Sequence, residues 1–457
     1  LPDARSARQR LVAALAVCLS GGGAGACGGA PIGASAVGTA GATGAGAATG
    51  ASGSTGTGGA GGSGGATGSG GATGSGGAAG ATGAGGAWVL GYWAVWQATQ
   101  YPLDRIAWND LTHAAIAFVE PRAPATPSTD SPYATLDSSN AMANIGTGGP
   151  ARFASAAHAG GTRPLISLGG GGAGAGFAAA ATAANRDRLV ADIVAAAAAW
   201  GYDGVDLDWE DSVSYPDFQA LVLALRAAAP PGFLITAPIG AVNLNLGIDT
   251  GARQMWSAVQ GSVDQLNVMT YTGSGNYPGW VVWYLDPLMG EGPDHPFDVV
   301  SSLAAWAAIG IPKSKLGAGI GFYGRTVSYP VTGPLQAYGS AQVFEDDSKL
   351  SYGNIRRYFE NSQGVHSHWD ATAMTTWLSW DQEIVPNWGD QYGNIDSPLV
   401  QFLTYEDPAT VAAKGQWLKQ NGYGGVIIWT INEGTEYPYG ADGYANPLLD
   451  ATRAALR

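Results

Sequence analysis

From residue 88 onward, short apolar runs alternate with stretches of helical periodicity, and this alternation constrains the fold more than any other feature of the chain. Eight runs are candidate strands, at 88–92, 113–119, 164–168, 204–208, 234–238, 265–271, 316–322 and 426–431. Most are nearly continuously apolar, as strands covered on both faces should be. Ala- and Leu-rich stretches at 186–200, 217–228, 299–309 and 409–421 carry the helical period. Repeated strand–helix units over about 370 residues predict an α/β fold, a (β/α)8 TIM barrel.

The rhythm breaks once. About a hundred residues separate the seventh candidate strand from the eighth, more than a simple unit needs. Residues 326–397, rich in aromatic and polar side chains, are expected to form a small α+β insertion domain beside the barrel mouth.

Composition sets the other boundaries. Residues 38–87 contain only Gly, Ala, Ser and Thr. Such a tract cannot bury enough apolar surface to offset its ordering entropy, so 28–87 is expected to be a disordered linker. It would span about 40 Å root-mean-square. Before it, Arg5, Arg8 and Arg10 precede an apolar run and then small residues, the order of an export signal over 1–27. Ala24-Gly25-Ala26-Cys27 is similar to a lipoprotein signal, which makes Cys27 a candidate for lipidation and a membrane anchor, with simple secretion as the alternative. Cys18 and Cys27 are the two cysteines, so residues 88–457 hold neither a thiol nor a disulfide.

The formal net charge of −14 disfavours nucleic acid or an anionic membrane surface as partner. It leaves an uncharged polymer open. All 16 Trp and 19 Tyr follow residue 87, where they serve core packing or sugar stacking.

The chemistry concentrates in Asp203-Gly204-Val205-Asp206-Leu207-Asp208-Trp209-Glu210. On a strand, Asp206, Asp208 and Glu210 project to one side. Acids are poor strand formers, and an apolar barrel does not need them. They close the fourth candidate strand, at the end of the barrel where catalytic groups sit. Carboxyls on successive same-side positions cannot all ionise cheaply, so one stays protonated as a general acid. Glu210, longest and furthest out, best reaches a leaving oxygen. Metal binding and a buried acidic network are the weaker alternatives; no His or Cys lies nearby to hold a metal, and no cofactor is expected.

This segment matches the DGxDxDxE signature of family 18 glycoside hydrolases, with Asp203 and Gly204 as its opening residues. Further segments resemble that family in order along the chain. Ser167-Leu168-Gly169-Gly170 is similar to its SxGG. Met269-Thr270-Tyr271 is similar to the start of its MxYD. Gly319 to Arg325 is similar to a seventh-strand segment of its chitinases, and Gly425 to Trp429 to its eighth strand. The resemblance to a bacterial chitinase implies retaining, substrate-assisted hydrolysis of N-acetylglucosamine polymers, an exception to the two-carboxylate scheme. It implies that Glu210 is acid and base, that Asp208 holds the acetamido N–H, and that Asp206 shares charge with Asp208. By the same resemblance Tyr271 orients the acetamido group and Trp429 lies beneath the sugar.

Met269 and Arg325 fall within these segments and Tyr92 closes the first candidate strand; all three are taken as substrate contacts. Trp93, Phe118 and Trp280 are further cleft candidates, with core packing as the competing role. Where the family carries Asp after the Tyr, this chain has Thr272. The missing acid implies a lower proton affinity for Glu210 and a more acidic pH optimum. The partners implied are chitin or chito-oligosaccharides, taken by a monomer. A hydrolase of glycoprotein or peptidoglycan glycans and a non-cutting chitin lectin are the alternatives.

The lesser signals carry little. Gly169 to Gly176 lacks the Lys and Ser/Thr of a phosphate loop. His366 and His368 are read as loop residues rather than a metal site, and His113 as a structural residue opening a strand.

Overall fold

The computed structural model describes residues 86–384, 399–436 and 444–457. The expected export signal, Cys27 and nearly all of the linker lie outside the described residues.

Eight parallel strands form the barrel: β1 (Trp88–Ala94), β2 (His113–Pro121), β3 (Arg163–Gly169), β4 (Gly204–Asp208), β5 (Leu234–Gly240), β6 (Gln265–Met269), β7 (Leu316–Gly321) and β8 (Gly425–Trp429). Each pairs with the next, and β1 pairs with both β2 and β8, which closes the ring. The closing register sets Trp88 beside Gly425 and Leu90 beside His113. No sheet edge is left open in the barrel. The (β/α)8 expectation therefore holds, with strand ends shifted by a few residues.

Side-chain parity divides the strands into an inner and an outer layer. Leu90, Tyr92, Ala115, Leu165 and Ile427 share an inner cluster with Tyr271 and Trp429. Val89, Trp93, Ile116, Val205 and Leu207 pack outward against the helices. Those helices include Arg186–Trp200, Tyr215–Ala228, Thr250–Val259, Val299–Ala308 and Pro408–Gln420. Local chemistry sets their ends. Asp298 accepts from the Ser301 amide to cap one helix, and Asp407 with Thr410 forms a capping box on another.

Between β7 and β8 the chain builds a second, antiparallel sheet. Its strands run in the spatial order Val343–Phe344, Gly324–Ser328, Val400–Tyr405, Thr375–Ile384, Val365–Asp370. The insertion thus begins at once after β7, and its sheet takes in Val400–Tyr405, beyond the 326–397 expected from composition. That last strand is buried throughout and central, so it reads in sequence like another barrel run. The loop after β6 supplies a second cluster, with Trp283, Tyr284 and Phe297 packed against Val327 and Phe402 of the insertion. A buried ionic group fastens the two parts: Lys414 of helix Pro408–Gln420 pairs with Glu406 and lies 3.4 Å from Asp286.

Candidate active site

The end of β4 supplies the carboxylates. Asp206 and Asp208 point into the barrel, while Leu207 and Trp209 point outward into the helix layer. Trp209 stacks on Phe177 at 4.8 Å and 6°. Glu210 follows just beyond the strand and is 9% exposed.

Asp206 is fully buried and held by three hydroxyls. Thr236 donates to Oδ1 at 2.6 Å, while Tyr92 and Ser167 donate to Oδ2 at 2.8 and 3.0 Å. These strands, β5, β1 and β3, approach Asp206 from different sides of the barrel. Burial raises its proton affinity, and the three hydroxyls oppose that rise by favouring the anion. Asp208 has no such help. Its Oδ1 is buried without a hydrogen-bond partner among the described residues. Burial, then the charges of Glu210 and Asp206, push its carboxyl well above the ordinary range. Both acids are thus raised, Asp208 further than Asp206, because only Asp206 has hydroxyls that favour its anion. Burial and the same two aspartates push the Tyr92 hydroxyl up as well, so it stays a donor.

An aromatic floor lies beside them. Trp429, at the end of β8, stacks on Phe118 at 5.6 Å and 19°. Tyr92 and Trp96 reach it at 5.7 and 6.2 Å. Its indole Nε1 donates at 2.9 Å to Asp347 Oδ2 of the insertion. Tyr271 lies just past β6 in the same cluster, with the Tyr323 hydroxyl donating to its carbonyl oxygen at 3.2 Å.

Residues 88–434 match the model of Glycosyl hydrolases family 18. The chain belongs to this family. It is 27% identical over 284 residues to an endochitinase from Manduca sexta, covering 58% of this chain and 49% of that relative. It thus spans about half the length of that protein. With Chitinase 1 from Aphanocladium album it shares 22% identity over 375 residues, 74% of this chain and 78% of the relative. The fold is also that of the Group IV chitinase from Ostrinia furnacalis in complex with allosamidin, at TM-score 0.61 and 18% identity over 81% of this chain and 98% of that one. A family 18 chitinase from Cycas revoluta in complex with (GlcNAc)3 aligns at TM-score 0.60 and 20% identity, over 81% and 99% of the two chains.

The family 18 motifs acquire physical reasons in this chain. Gly169 and Gly170 have φ of +120° and +88°. A Cβ on the first would meet the Asp208 carbonyl oxygen at 2.2 Å, and on the second the Phe118 ring at 2.5 Å. The glycines let β3 pass close to the carboxylate strand and the floor. Gly204 lets β4 start hard against the Leu234 carbonyl. Asp203 is not at the site. It stands before β4, at the opposite end of the strand, 3.1 Å from His158 Nε2 and 3.5 Å from Arg163 Nε.

Not every expected sugar contact lies in the cleft. Trp93 is a correction: it is 1% exposed, packs on Phe153 at 5.5 Å and donates to the Tyr101 carbonyl at 2.8 Å, outside the barrel wall. Strand parity forbids it to share a side with Tyr92. Met269 joins the inner cluster and Phe118 flanks it. Arg325 stands over the Tyr323 ring at 4.8 Å, and its Nη1 donates to the Glu345 carbonyl. Trp280 is half-buried against Tyr277, 4.8 Å away, on the loop after β6. Residues not anticipated are Trp96, Thr236, Tyr323 and Asp347. Tyr323 lay within a matching segment and Trp96 just past the first candidate strand, so both could have been found. Thr236 and Asp347 act through partners on distant elements, which spacing does not reveal.

Proposed function

We propose that the protein is a chitinase that hydrolyses β-1,4 bonds of N-acetylglucosamine polymers with retention, using the substrate's own acetamido oxygen as nucleophile. Glu210 protonates the glycosidic oxygen and then activates water. Asp208 receives the acetamido N–H on its free oxygen and stabilises the positive charge that develops on the ring. Asp206, held by three hydroxyls, supplies fixed negative charge behind Asp208. Tyr271 orients the acetamido group, and Trp429 supports the sugar at the point of cleavage.

One observation carries this assignment: the buried Asp208 Oδ1 without a partner, set between the fixed Asp206 and the outermost Glu210. A second carboxylate acting as direct nucleophile would need an exposed, ionised oxygen. Asp208 is instead suited to accept a hydrogen bond from substrate. Support for the substrate class comes from relatives called chitinases and from a similar structure holding (GlcNAc)3. Action outside the cytoplasm, as a monomer that is either secreted or anchored through Cys27, belongs to the same proposal.

The test is product analysis of the full chain and of Glu210→Gln on N-acetylglucosamine hexasaccharide. Release of short oligomers by the parent alone supports the assignment. Binding without cleavage by both would make the protein a lectin. Neither binding nor cleavage would direct attention to glycoprotein or cell-wall glycans.

A further inference from the structure

The floor of the cleft is not held by the barrel alone. Around Trp429 the barrel offers Phe118, Tyr92 and Trp96, all ring contacts at 5.6–6.2 Å. Ring contacts of this kind tolerate sliding and tilting. An indole has a single polar atom, Nε1, and here it donates across to the insertion, to Asp347 Oδ2 at 2.9 Å. A hydrogen bond to a carboxylate is both strong and directional.

The carboxylate is itself locked. Its Oδ1 accepts from the Ser348 amide at 2.9 Å, so the other oxygen is aimed at the indole. The turn that carries it is tied on both sides. Lys349 pairs with Asp346 at 2.9 Å, the Leu350 amide bonds the Asp346 carbonyl, and buried Asn354 donates to the Ser348 and Lys349 carbonyls. Arg325 fastens the segment from below through the Glu345 carbonyl while lying over Tyr323, whose hydroxyl reaches the Tyr271 carbonyl. A continuous chain of contacts therefore runs from Tyr271 through the insertion to Trp429.

We propose that Asp347 is a positioning residue that fixes the indole of Trp429 beneath the sugar being cleaved, so that the insertion takes part in catalysis through the barrel floor. This rests on Trp429 being the sugar support described above. A floor ring that pivots loses the distorted sugar more than the relaxed one, and small misplacements at a reacting centre cost rate steeply. Asp347 touches neither the carboxylates nor the scissile bond in this scheme. It acts through Trp429.

The test is a double-mutant cycle on the full chain with N-acetylglucosamine hexasaccharide. Asp347→Ala is expected to lower kcat about tenfold, with KM changing less than about threefold. Asp347→Asn, which keeps an acceptor oxygen, should recover most of that loss. Trp429→Phe removes the donor, and adding Asp347→Ala to it should cost nothing further. Equal activity of parent and Asp347→Ala overturns the proposal, as do failure of the Asn variant to recover and full additivity with Trp429→Phe. Thermal melting of each variant separates misfolding from mispositioning. If the parent binds the hexasaccharide without cutting it, the chitinase assignment falls. The cycle is then read by calorimetry, where additive affinities overturn the positioning role. If the parent neither binds nor cuts it, the sugar support itself is withdrawn and the proposal falls with it.

Discussion

The Tyr92 hydroxyl donates to Asp206 Oδ2 at 2.8 Å, joining β1 to β4 through the barrel interior. The bond is wholly buried, and the phenol is held neutral by that burial and then by the acids it faces. Tyr92→Phe would leave Asp206 with two hydroxyl donors instead of three. A hydrogen bond to a charged group contributes about 1.5–3 kcal/mol, so the anion at Asp206 should weaken markedly. The expected result is a fall in kcat of about tenfold or more, with the fold intact. Steady-state kinetics beside a melting curve check it, and an unchanged kcat would remove Asp206 from the mechanism.

Asp208 should carry a stability penalty that depends on pH. Burial, with Glu210 and Asp206 behind it, raises its folded-state pKa well above the unfolded value. Below the unfolded pKa, near 4, both states hold the proton and no penalty exists. As pH rises, the unfolded chain releases that proton while the folded one keeps it, so stability declines until the folded pKa is passed. Asp208→Asn removes the decline. The variant should melt higher than the parent at pH 7 by about 0.5–2 kcal/mol equivalent, show no gain at pH 4, and lose at least about tenfold in kcat. Parallel melting profiles across that range would contradict the assignment.

The ionic group beneath the insertion predicts an asymmetry. Lys414, Glu406 and Asp286 are all essentially without exposure, and Lys414 is the sole cation of the three. Burial pushes Asp286 well above the ordinary carboxyl range, and the nearby Lys414 only partly offsets it. Lys414→Met leaves two buried acids unpaired and should destabilise by about 3–5 kcal/mol. Asp286→Asn replaces an acid already biased toward neutrality and should cost under about 1 kcal/mol. Chemical denaturation of both variants decides it, and equal losses would mean that Asp286 is ionised.

Much of this was legible in the chain itself. The eight runs gave the barrel because a parallel strand must be apolar on both sides, a property of single residues in order. Asp206, Asp208 and Glu210 were visible because acids at the end of an apolar strand violate local preference. Trp93 misled because a Trp next to Tyr92 at the end of a candidate strand looks like a sugar contact, and only strand parity sends it outward. Asp347 lay beyond reach. Its role follows from a turn in the insertion meeting the end of β8, 82 positions away. Thr236 was equally hidden, since one Thr in an apolar strand has no signature until β5 lies beside β4.

Thr272 offers the remaining prediction. It directly follows Tyr271 at the mouth of the barrel, half-buried, with its carbonyl oxygen taken by the Tyr277 hydroxyl at 2.9 Å. The carbonyl bond is a backbone feature, so the side chain can change without disturbing it. Thr272→Asp would add a negative charge beside the group of acids that already share too few protons. Added negative charge disfavours ionisation of a neighbouring acid, so Glu210 would keep its proton to higher pH. The profile of kcat/KM should then move upward by about half to one unit, most of all at low salt where screening is weak. A profile that stays in place in both low and high salt would mean that position 272 does not sense the catalytic carboxylates. An upward shift would make its side chain the determinant of the pH range over which this family 18 chain works.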